Sequence, residues 1–375
     1  MNKYIGIMSG TSCDGIDICL TALDYKTNDL KYKIIDTAYY PYSLKLREEI
    51  LKVTNNQSIS SSHNFLNSFY NIHHKLGDIY ADAVLKFSKR RKNLLKDVAA
   101  IGLHGQTVYH FSKYKNNRGV SIQLGEPIIV AAKTGVPVVY DFRARDIIFG
   151  GEGAPLAPVV DSLIFKHHPK PLALLNIGGI SNVTLLDDKI VAFDTGPGNS
   201  LMDILANIYS KGEQKFDKNG SIAKRGHIIK PILKKWLEHP FFKRLPPKST
   251  GRETFGLEFL NPYLKFPIPD LMRTALEFTS ESIYNGIING FKKVPKKVLV
   301  SGGGVHNSLL LESLRKCFQP IDVSPVDEMG IDPDFKEAFI FAVLAMLYIE
   351  DVPISLKNIT GNKKSIRLGR LECPR

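Results

Sequence analysis

The chain has 375 residues, 43% hydrophobic and 23% charged, with four cysteines and one tryptophan. That length and balance allow two domains with sizeable cores, and they exclude a disordered chain, a collagen and a disulfide scaffold. Fifty lysines and arginines against 37 acids give a formal net charge of +13, which favours an anionic small molecule, nucleic acid or a membrane surface.

The first 40 residues predict three strands, at 4–8, 15–23 and 33–38. A turn of small polar residues, Ser9-Gly10-Thr11-Ser12-Cys13-Asp14, joins the first two. Helices follow at about 43–54 and 62–92, the second with Phe65, Phe69, Ile72, Leu76, Ile79 and Ala83 at helical spacing. A short buried strand at 98–103 ends in His104-Gly105-Gln106-Thr107. Helix 126–134 and a strand at 136–140 complete a first half.

The second half repeats the opening theme. Residues 172–186 read strand, Gly/Ser turn, strand, and 190–193 form a third strand ending in Asp194-Thr195-Gly196-Pro197-Gly198-Asn199. A helix follows, with Asn199 or Ser200 as N-cap and Leu201, Ile204, Leu205 and Ile208 on one face. Polar residues at about 211–265 predict an insertion or lid. Helix 270–291, a strand at 297–300, the turn Ser301-Gly302-Gly303-Gly304 and helix 335–349 finish the core. The expected fold is α/β, with two related halves, 1–145 and 146–375, facing each other across a ligand cleft.

Basic residues sit in short clusters, such as Lys89-Arg90-Arg91-Lys92 and Lys363-Lys364. Neither a nucleic-acid motif nor interleaved aromatics accompany them, so they read as solvated faces and no nucleic-acid partner is expected. The longest apolar run, 338–349, is too short for the ~20 residues of a membrane helix. The N-terminus is a strand and turn, not a signal peptide. Cys13, Cys19, Cys317 and Cys373 form no CxxC pair, as in a reduced cytoplasmic protein.

The turn 9–15 is a candidate phosphate loop, because glycines allow close approach and backbone N–H groups donate to phosphate. No Gly-Lys-Ser/Thr follows, so it is not a Walker A loop, and such a turn taken alone is usually just a hairpin. Gly178-Gly179-Ile180-Ser181-Asn182 gives the same signal at the equivalent place of the second half. Asp194 stands at a strand end before glycines and a helix, where active-site carboxylates often lie in open α/β sheets; it can equally satisfy turn amides. Ser301-Gly302-Gly303-Gly304 suits a nucleotide or a structural turn. Asp141-Phe142-Arg143-Ala144-Arg145-Asp146 beside the glycine-rich loop 150–155 suits a polar pocket in which arginine meets a carboxylate, or a surface ion cluster. His104 is a base or a satisfied core histidine, and Glu337 a functional acid or favourable charge at a helix N-terminus.

Taken together these strings resemble the anhydro-N-acetylmuramic acid kinase family. The matches run from residue 8 to about 361: Met8 to Asp17, Gly102 to Thr107, Asp141 to Asp146, Asn176 to Asn182, Asp194 to Asn199, Lys248-Ser249-Thr250-Gly251-Arg252-Glu253, and Ser301 to Gly304 with Asn307. The resemblance implies two ribonuclease-H-like domains of the actin and sugar-kinase kind, closing on ATP. It implies opening of 1,6-anhydro-N-acetylmuramic acid by water and phosphorylation of O6, in recycling of cell-wall sugar. Asp194 matches the catalytic base. Gly10, Thr11, Ser12, Cys13, Asp14, Gly15, Ile16 and Asp17 match a phosphate-binding hairpin, with Gly178, Gly179, Ser181, Asn182, Gly302, Gly303, Gly304 and Asn307 completing the nucleotide site. Asp14 is expected to hold Mg²⁺ through water. Ser12, Thr107, Arg143, Arg145 and Glu337 are expected around the sugar. A homodimer is also implied.

Three positions depart from the family pattern. Glu152 stands where glutamine is usual, and an extra negative charge there weakens binding of an anionic substrate unless it is paired or turned away. Cys13 replaces leucine and Ser301 replaces cysteine. Two other readings compete: an ordinary amino-sugar kinase without hydrolysis, and a non-enzymatic nucleotide-gated sugar sensor, against which a positioned base argues.

Overall fold

The computed structural model describes every residue except 11, 55–61, 112–117, 247, 252 and 292, and not the side chains of 62, 63, 328 and 329. In chain order the described strands are β1 (Asn2–Ser9), β2 (Gly15–Lys26), β3 (Asp29–Pro41), β4 (Val98–Phe111), β5 (Val120–Leu124), β6 (Val138–Tyr140), β7 (Leu172–Ile177), β8 (Ile180–Leu186), β9 (Ile190–Pro197), β10 (Lys297–Ser301), β11 (Asp322–Pro325), β12 (Ile354–Ser355), β13 (Ser365–Ile366) and β14 (Arg370–Glu372). The chain divides into two units, Met1–Lys166 with Phe335–Arg375, and His167–Asp334.

The first unit is built on a sheet of order β14-β6-β4-β1-β2-β3, with β5 folded back on β4. β1, β2 and β3 are antiparallel and need only short turns. β4 runs parallel to β1, and β6 parallel to β4. Parallel pairing demands a crossover, and helices Leu44–Thr54 and Ser62–Ser88 lie on the first one. One face is covered by helix Lys336–Ile349, buried from Ala338 to Leu347. A helix apolar on all sides must be enclosed on all sides. Gly6 and Gly102, register partners on β1 and β4, let it come close. A Cβ on Gly6 would stand 1.8 Å from the carbonyl oxygen of Ala338, and one on Gly102 2.0 Å from that of Phe341.

The second unit has the order β11-β10-β7-β8-β9. Again the first three strands are antiparallel, and the next two run parallel to the first. Helix Ile268–Phe291 lies on β9, with Gly286 against Thr195 and Gly290 against Phe193. Strand order and strand direction are thus the same in both units. Each is a ribonuclease-H-like core, and the fold is a duplicated α/β one.

The division differs from the expected 145/146. It falls at 166/167 and again at 334/335, because helix Lys336–Ile349 packs on β1, β2 and β4 and β14 hydrogen-bonds to β6. Residues 211–265, expected as an insertion or lid, put Ile222, Trp236, Phe241 and Phe255 into the second unit's core. β4 and β9 are longer than expected, so His104, Thr107 and Asp194 lie within strands and not past their ends. Asn199 precedes helix Ser200–Tyr209, but its side chain does not cap it; the amide donates to the Ile177 carbonyl at 3.3 Å.

Candidate active site

The hairpin between β1 and β2 is closed by Cys13 N–H donating to the Gly10 carbonyl at 3.1 Å. Cys13 takes φ 53°. The Cys13 and Ile16 side chains point into the core, so a ligand at this loop meets main chain there. Ser12 and Asp14 face solvent, and the Ser12 hydroxyl donates to Asp14 Oδ1 at 2.6 Å. Asp17 lies in the β2 ladder opposite Met8, and Gly15 is covered by the Tyr39 ring. Thr11 lies outside the described residues. Gln106, to which the sequence reading gave no role, is fully buried and donates to the Gly10 carbonyl at 2.9 Å. Its signal was its place in the His104–Thr107 string.

Around the end of β4 a polar network is fixed by burial. His104 is 5% exposed, with Nδ1 2.8 Å from the Gly105 carbonyl and Nε2 2.9 Å from the Arg143 guanidinium. An arginine can only donate, so Nε2 accepts and Nδ1 carries the proton. Burial, with Arg143 adding to it, holds His104 well below the ordinary histidine range. It is therefore a neutral positioning group, not a base. Arg143 also donates to the Gly153 carbonyl at 2.8 Å. Burial lowers its pKa to about 10, while Glu337 opposes. Glu337 is open to solvent, yet the protein around it pushes its carboxyl up, against Arg143 and Lys336.

Thr107 and Arg145 are placed differently. Thr107 Oγ1 accepts from Gln123 at 3.4 Å. Arg145 donates to the Arg367 carbonyl at 2.9 Å, which ties it to the C-terminal segment. Asp146 is fully buried and holds the glycine-rich loop, accepting from Gly153 N–H, the Thr360 hydroxyl and the Asn362 amide at 2.8–3.0 Å. Glu152 is exposed, with its N–H on the Thr360 carbonyl. A cavity of about 370 Å³ opens in this unit, lined by His104, Gln123, Glu126, Tyr140 and Asp141 among others.

In the second unit Asp194 sits on β9, half-buried opposite Asn182 of β8. Its N–H donates to the Lys248 carbonyl at 3.0 Å, and its Oδ2 accepts the Thr250 N–H at 2.9 Å. Burial raises its carboxyl to about 6; the Thr250 bond opposes that, and Glu253 adds to it. The segment 248–253 therefore frames the carboxylate. The sequence carried that segment only as a matching string, with Arg252 outside the described residues.

The β7–β8 hairpin folds onto the start of helix Ser200–Tyr209: Gly198 and Ser200 N–H donate to the Gly179 carbonyl, and Asn199 N–H to that of Gly178. The Ser181 hydroxyl is fully buried, 2.6 Å from the Thr195 hydroxyl, so its side chain belongs to internal packing and only its main chain could meet a nucleotide. Gly302 has φ 80°, and a Cβ there would stand 2.5 Å from Asn176 Oδ1. Gly304 is closed by Ile177, whereas Gly303 is open. Asn307 caps helix Ser308–Phe318 by accepting from Leu310 N–H at 3.2 Å. Among the described residues no cluster of three His, Cys, Asp or Glu is gathered for a metal ion, and no helix is long and apolar enough to cross a membrane.

The chain is similar to many proteins that carry the name anhydro-N-acetylmuramic acid kinase. A protein named anhydro-N-acetylmuramic acid kinase from Aliivibrio fischeri is 38% identical over 374 residues, covering 98% of each chain. The protein of that name from Caldanaerobacter subterraneus is 34% identical over 385 residues, covering 98% of this chain and 96% of the other. Among solved structures, component A of the Acidaminococcus fermentans (R)-2-hydroxyglutaryl-CoA dehydratase covers 92% of this chain and 97% of its own, at 11% identity and a TM-score of 0.44. The family model for anhydro-N-acetylmuramic acid kinase matches residues 2–373, and the chain belongs to that family.

Proposed function

We propose that the protein converts 1,6-anhydro-N-acetylmuramic acid, water and ATP into N-acetylmuramic acid 6-phosphate and ADP, with Asp194 as general base. The observation that carries the reaction is the family match over residues 2–373; the setting of Asp194, held by the Lys248 carbonyl and the Thr250 N–H, supports its part as base. Its carboxyl, at about 6, is ionised at neutral pH yet basic enough to take a proton, which is where a general base works best. Asp194 accepts a proton from water as the water oxygen bonds to the anomeric carbon. The bond from that carbon to O6 breaks, and the negative carboxylate steadies the positive charge that builds on the ring. O6 then bonds to the γ-phosphorus as the bond to ADP breaks. General-base catalysis is worth ~10²–10⁴-fold.

Thr107, Arg143 and Glu337, with the cavity beside Gln123, are the groups of the first unit that we assign to the sugar. The guanidinium of Arg143 suits the lactyl carboxylate; Arg145, held on the Arg367 carbonyl, is the lesser partner. Glu152 is exposed, with its main-chain N–H on the Thr360 carbonyl, which supports a side chain turned to solvent. Ser12, Asp14 and the main chain of 10–17 would meet the β- and γ-phosphates, and Gly178, Gly179 and Gly302–Gly304 the remainder of the nucleotide. Mg²⁺ binds through one or two carboxylates plus phosphate oxygens, so the exposed Asp14 fits it. When bound it would neutralise phosphate charge. The family reading also carries a homodimer in the cytoplasm, with no nucleic-acid or membrane partner.

An ADP-release assay tests the assignment. Protein with ATP and Mg²⁺ receives the anhydro sugar, N-acetylmuramic acid, glucose or no sugar, with Asp194→Asn alongside. Release that needs the anhydro sugar and vanishes in the variant is expected. Release with the reducing sugar would mean an ordinary amino-sugar kinase, and silence with every sugar a sensor.

A further inference from the structure

Lys248 is a buried cation with no carboxylate partner among the described residues. It is 8% exposed, and its ammonium lies 4.6 Å from the centroid of the Phe241 ring. Arg244 lies over the same ring at 5.9 Å. Phe241 is itself buried, edge-on to Phe242 and Phe255. Cations over aromatic faces gain most where water is excluded. The Lys248 ammonium is thus lodged on a rigid aromatic cluster.

The main chain of the same residue grips Asp194. The Lys248 carbonyl accepts the Asp194 N–H, and two residues on, the Thr250 N–H holds the Asp194 carboxylate. Residues 248–250 belong to no helix or strand, so no regular ladder fixes them. The buried Thr250 hydroxyl has no hydrogen-bond partner among the described residues. Thr254 and Phe255 N–H donate to the Gly251 carbonyl and anchor the far end of the segment; at its near end the Lys248 side chain is the anchor that reaches the core.

We propose that Lys248 is a positioning residue for Asp194: its ammonium, seated on Phe241, fixes residues 248–250 so that the Thr250 N–H stays on the carboxylate. The inference rests on the reading of Asp194 as the base. Two groups bear on the Asp194 carboxyl, the Thr250 N–H that lowers its pKa and Glu253 that raises it. Arg244 is the charged neighbour of Lys248, whose pKa is lowered first by burial and then by Arg244. Losing the Thr250 bond leaves burial and Glu253 unopposed, so the Asp194 carboxyl rises.

The test is the pH profile of kcat/KM for the full-length protein and its Lys248→Met and Lys248→Arg variants, with Asp194→Asn as reference. Melting curves confirm that each variant is folded. The acid limb of Lys248→Met should move up by about one unit, so that activity near pH 6 falls about fivefold while activity near pH 8 falls much less. KM for ATP should hold, and Lys248→Arg should restore the limb. A uniform loss with an unmoved limb would make Lys248 merely structural and overturn the proposal. A raised KM for ATP would also overturn it, placing the ammonium on the nucleotide. Full activity in Asp194→Asn would instead remove the base assignment beneath it.

Discussion

Thr250 donates its backbone N–H to Asp194 Oδ2 at 2.9 Å, so a loop 56 residues downstream opposes the rise that burial imposes on the carboxyl. Without that bond, burial and Glu253 would act alone. The Lys248–Glu253 string thereby gains a physical role: it frames the Asp194 carboxylate.

The raised carboxyl has a stability consequence. Asp194 titrates near 6 in the folded protein and near ~3.9 in an unfolded chain. The folded state binds more protons between these values, so ionising Asp194 costs stability. That cost is fully present above about pH 6 and absent below about pH 4. Asp194→Asn keeps an oxygen for the Thr250 N–H. It should stabilise the second unit by up to about 2 kcal/mol at pH 7.5, and by nothing at pH 4. Melting curves at both pH values check this; a variant less stable at neutral pH would contradict it.

Arg143 holds two partners through one fork, the His104 ring and the Gly153 carbonyl, and feels the charge of Glu337. Lysine cannot reproduce a planar fork. Arg143→Lys should raise KM for the anhydro sugar about tenfold, equivalent to ~1.4 kcal/mol, with a smaller effect on KM for ATP. Steady-state kinetics with each substrate varied would show it, and an unchanged sugar KM would remove Arg143 from the sugar.

A buried ion pair holds the start of the helix that carries Glu337. Lys336 Nζ lies 2.9 Å from Asp161 Oδ1, with side-chain exposures of 9% and 3%. Burial raises the Asp161 carboxyl and Lys336 opposes it. Breaking such a pair from one side leaves an uncompensated charge and costs about 3–5 kcal/mol. Asp161→Leu should therefore melt well below the parent, and Asp161→Leu with Lys336→Met should recover most of the loss. A double variant no better than the single one would show that the cost is packing, not charge.

Gly102 is the close-approach point of that same helix. A methyl group there would stand 2.0 Å from the Phe341 carbonyl, and backbone on both sides leaves no flexible atom to yield. Gly102→Ala should destabilise the first unit by about 3 kcal/mol or more. Gly6→Ala should do the same. A near-normal melting temperature in either would mean that the helix can shift away freely.

The repeat of strand, small-residue turn and strand at 4–23 and 172–186 was legible because alternation and glycine punctuation are local signals. Asp194 was singled out by the glycines that follow it, although it lies within β9 and not at the strand end that the sequence suggested. The unit boundary was not legible. It depends on β14 pairing with β6 and on helix Lys336–Ile349 returning to β1, contacts that join residues some 230 to 340 positions apart, for which periodicity has no signal. Trp236, Phe241 and Phe255 were missed as core for a related reason: lysines and prolines around them lower the local hydrophobicity, while tertiary packing gathers the rings. Cys13, Ile16 and Ser181 fall inside matching strings, but the turn at Cys13 and the strand register of Ile16 and Ser181 put their side chains inward.

The central claim is that Asp194 directs water to the anomeric carbon while O6 takes the phosphoryl group. The most direct measurement is mass spectrometry of the sugar phosphate formed from the anhydro sugar and ATP in H₂¹⁸O, quenched early, with authentic N-acetylmuramic acid 6-phosphate in the same water as the exchange control. The account predicts one solvent oxygen in the product beyond that control, and no product from Asp194→Asn. A sugar phosphate without solvent oxygen, or labelled product formed at the normal rate by Asp194→Asn, would contradict it.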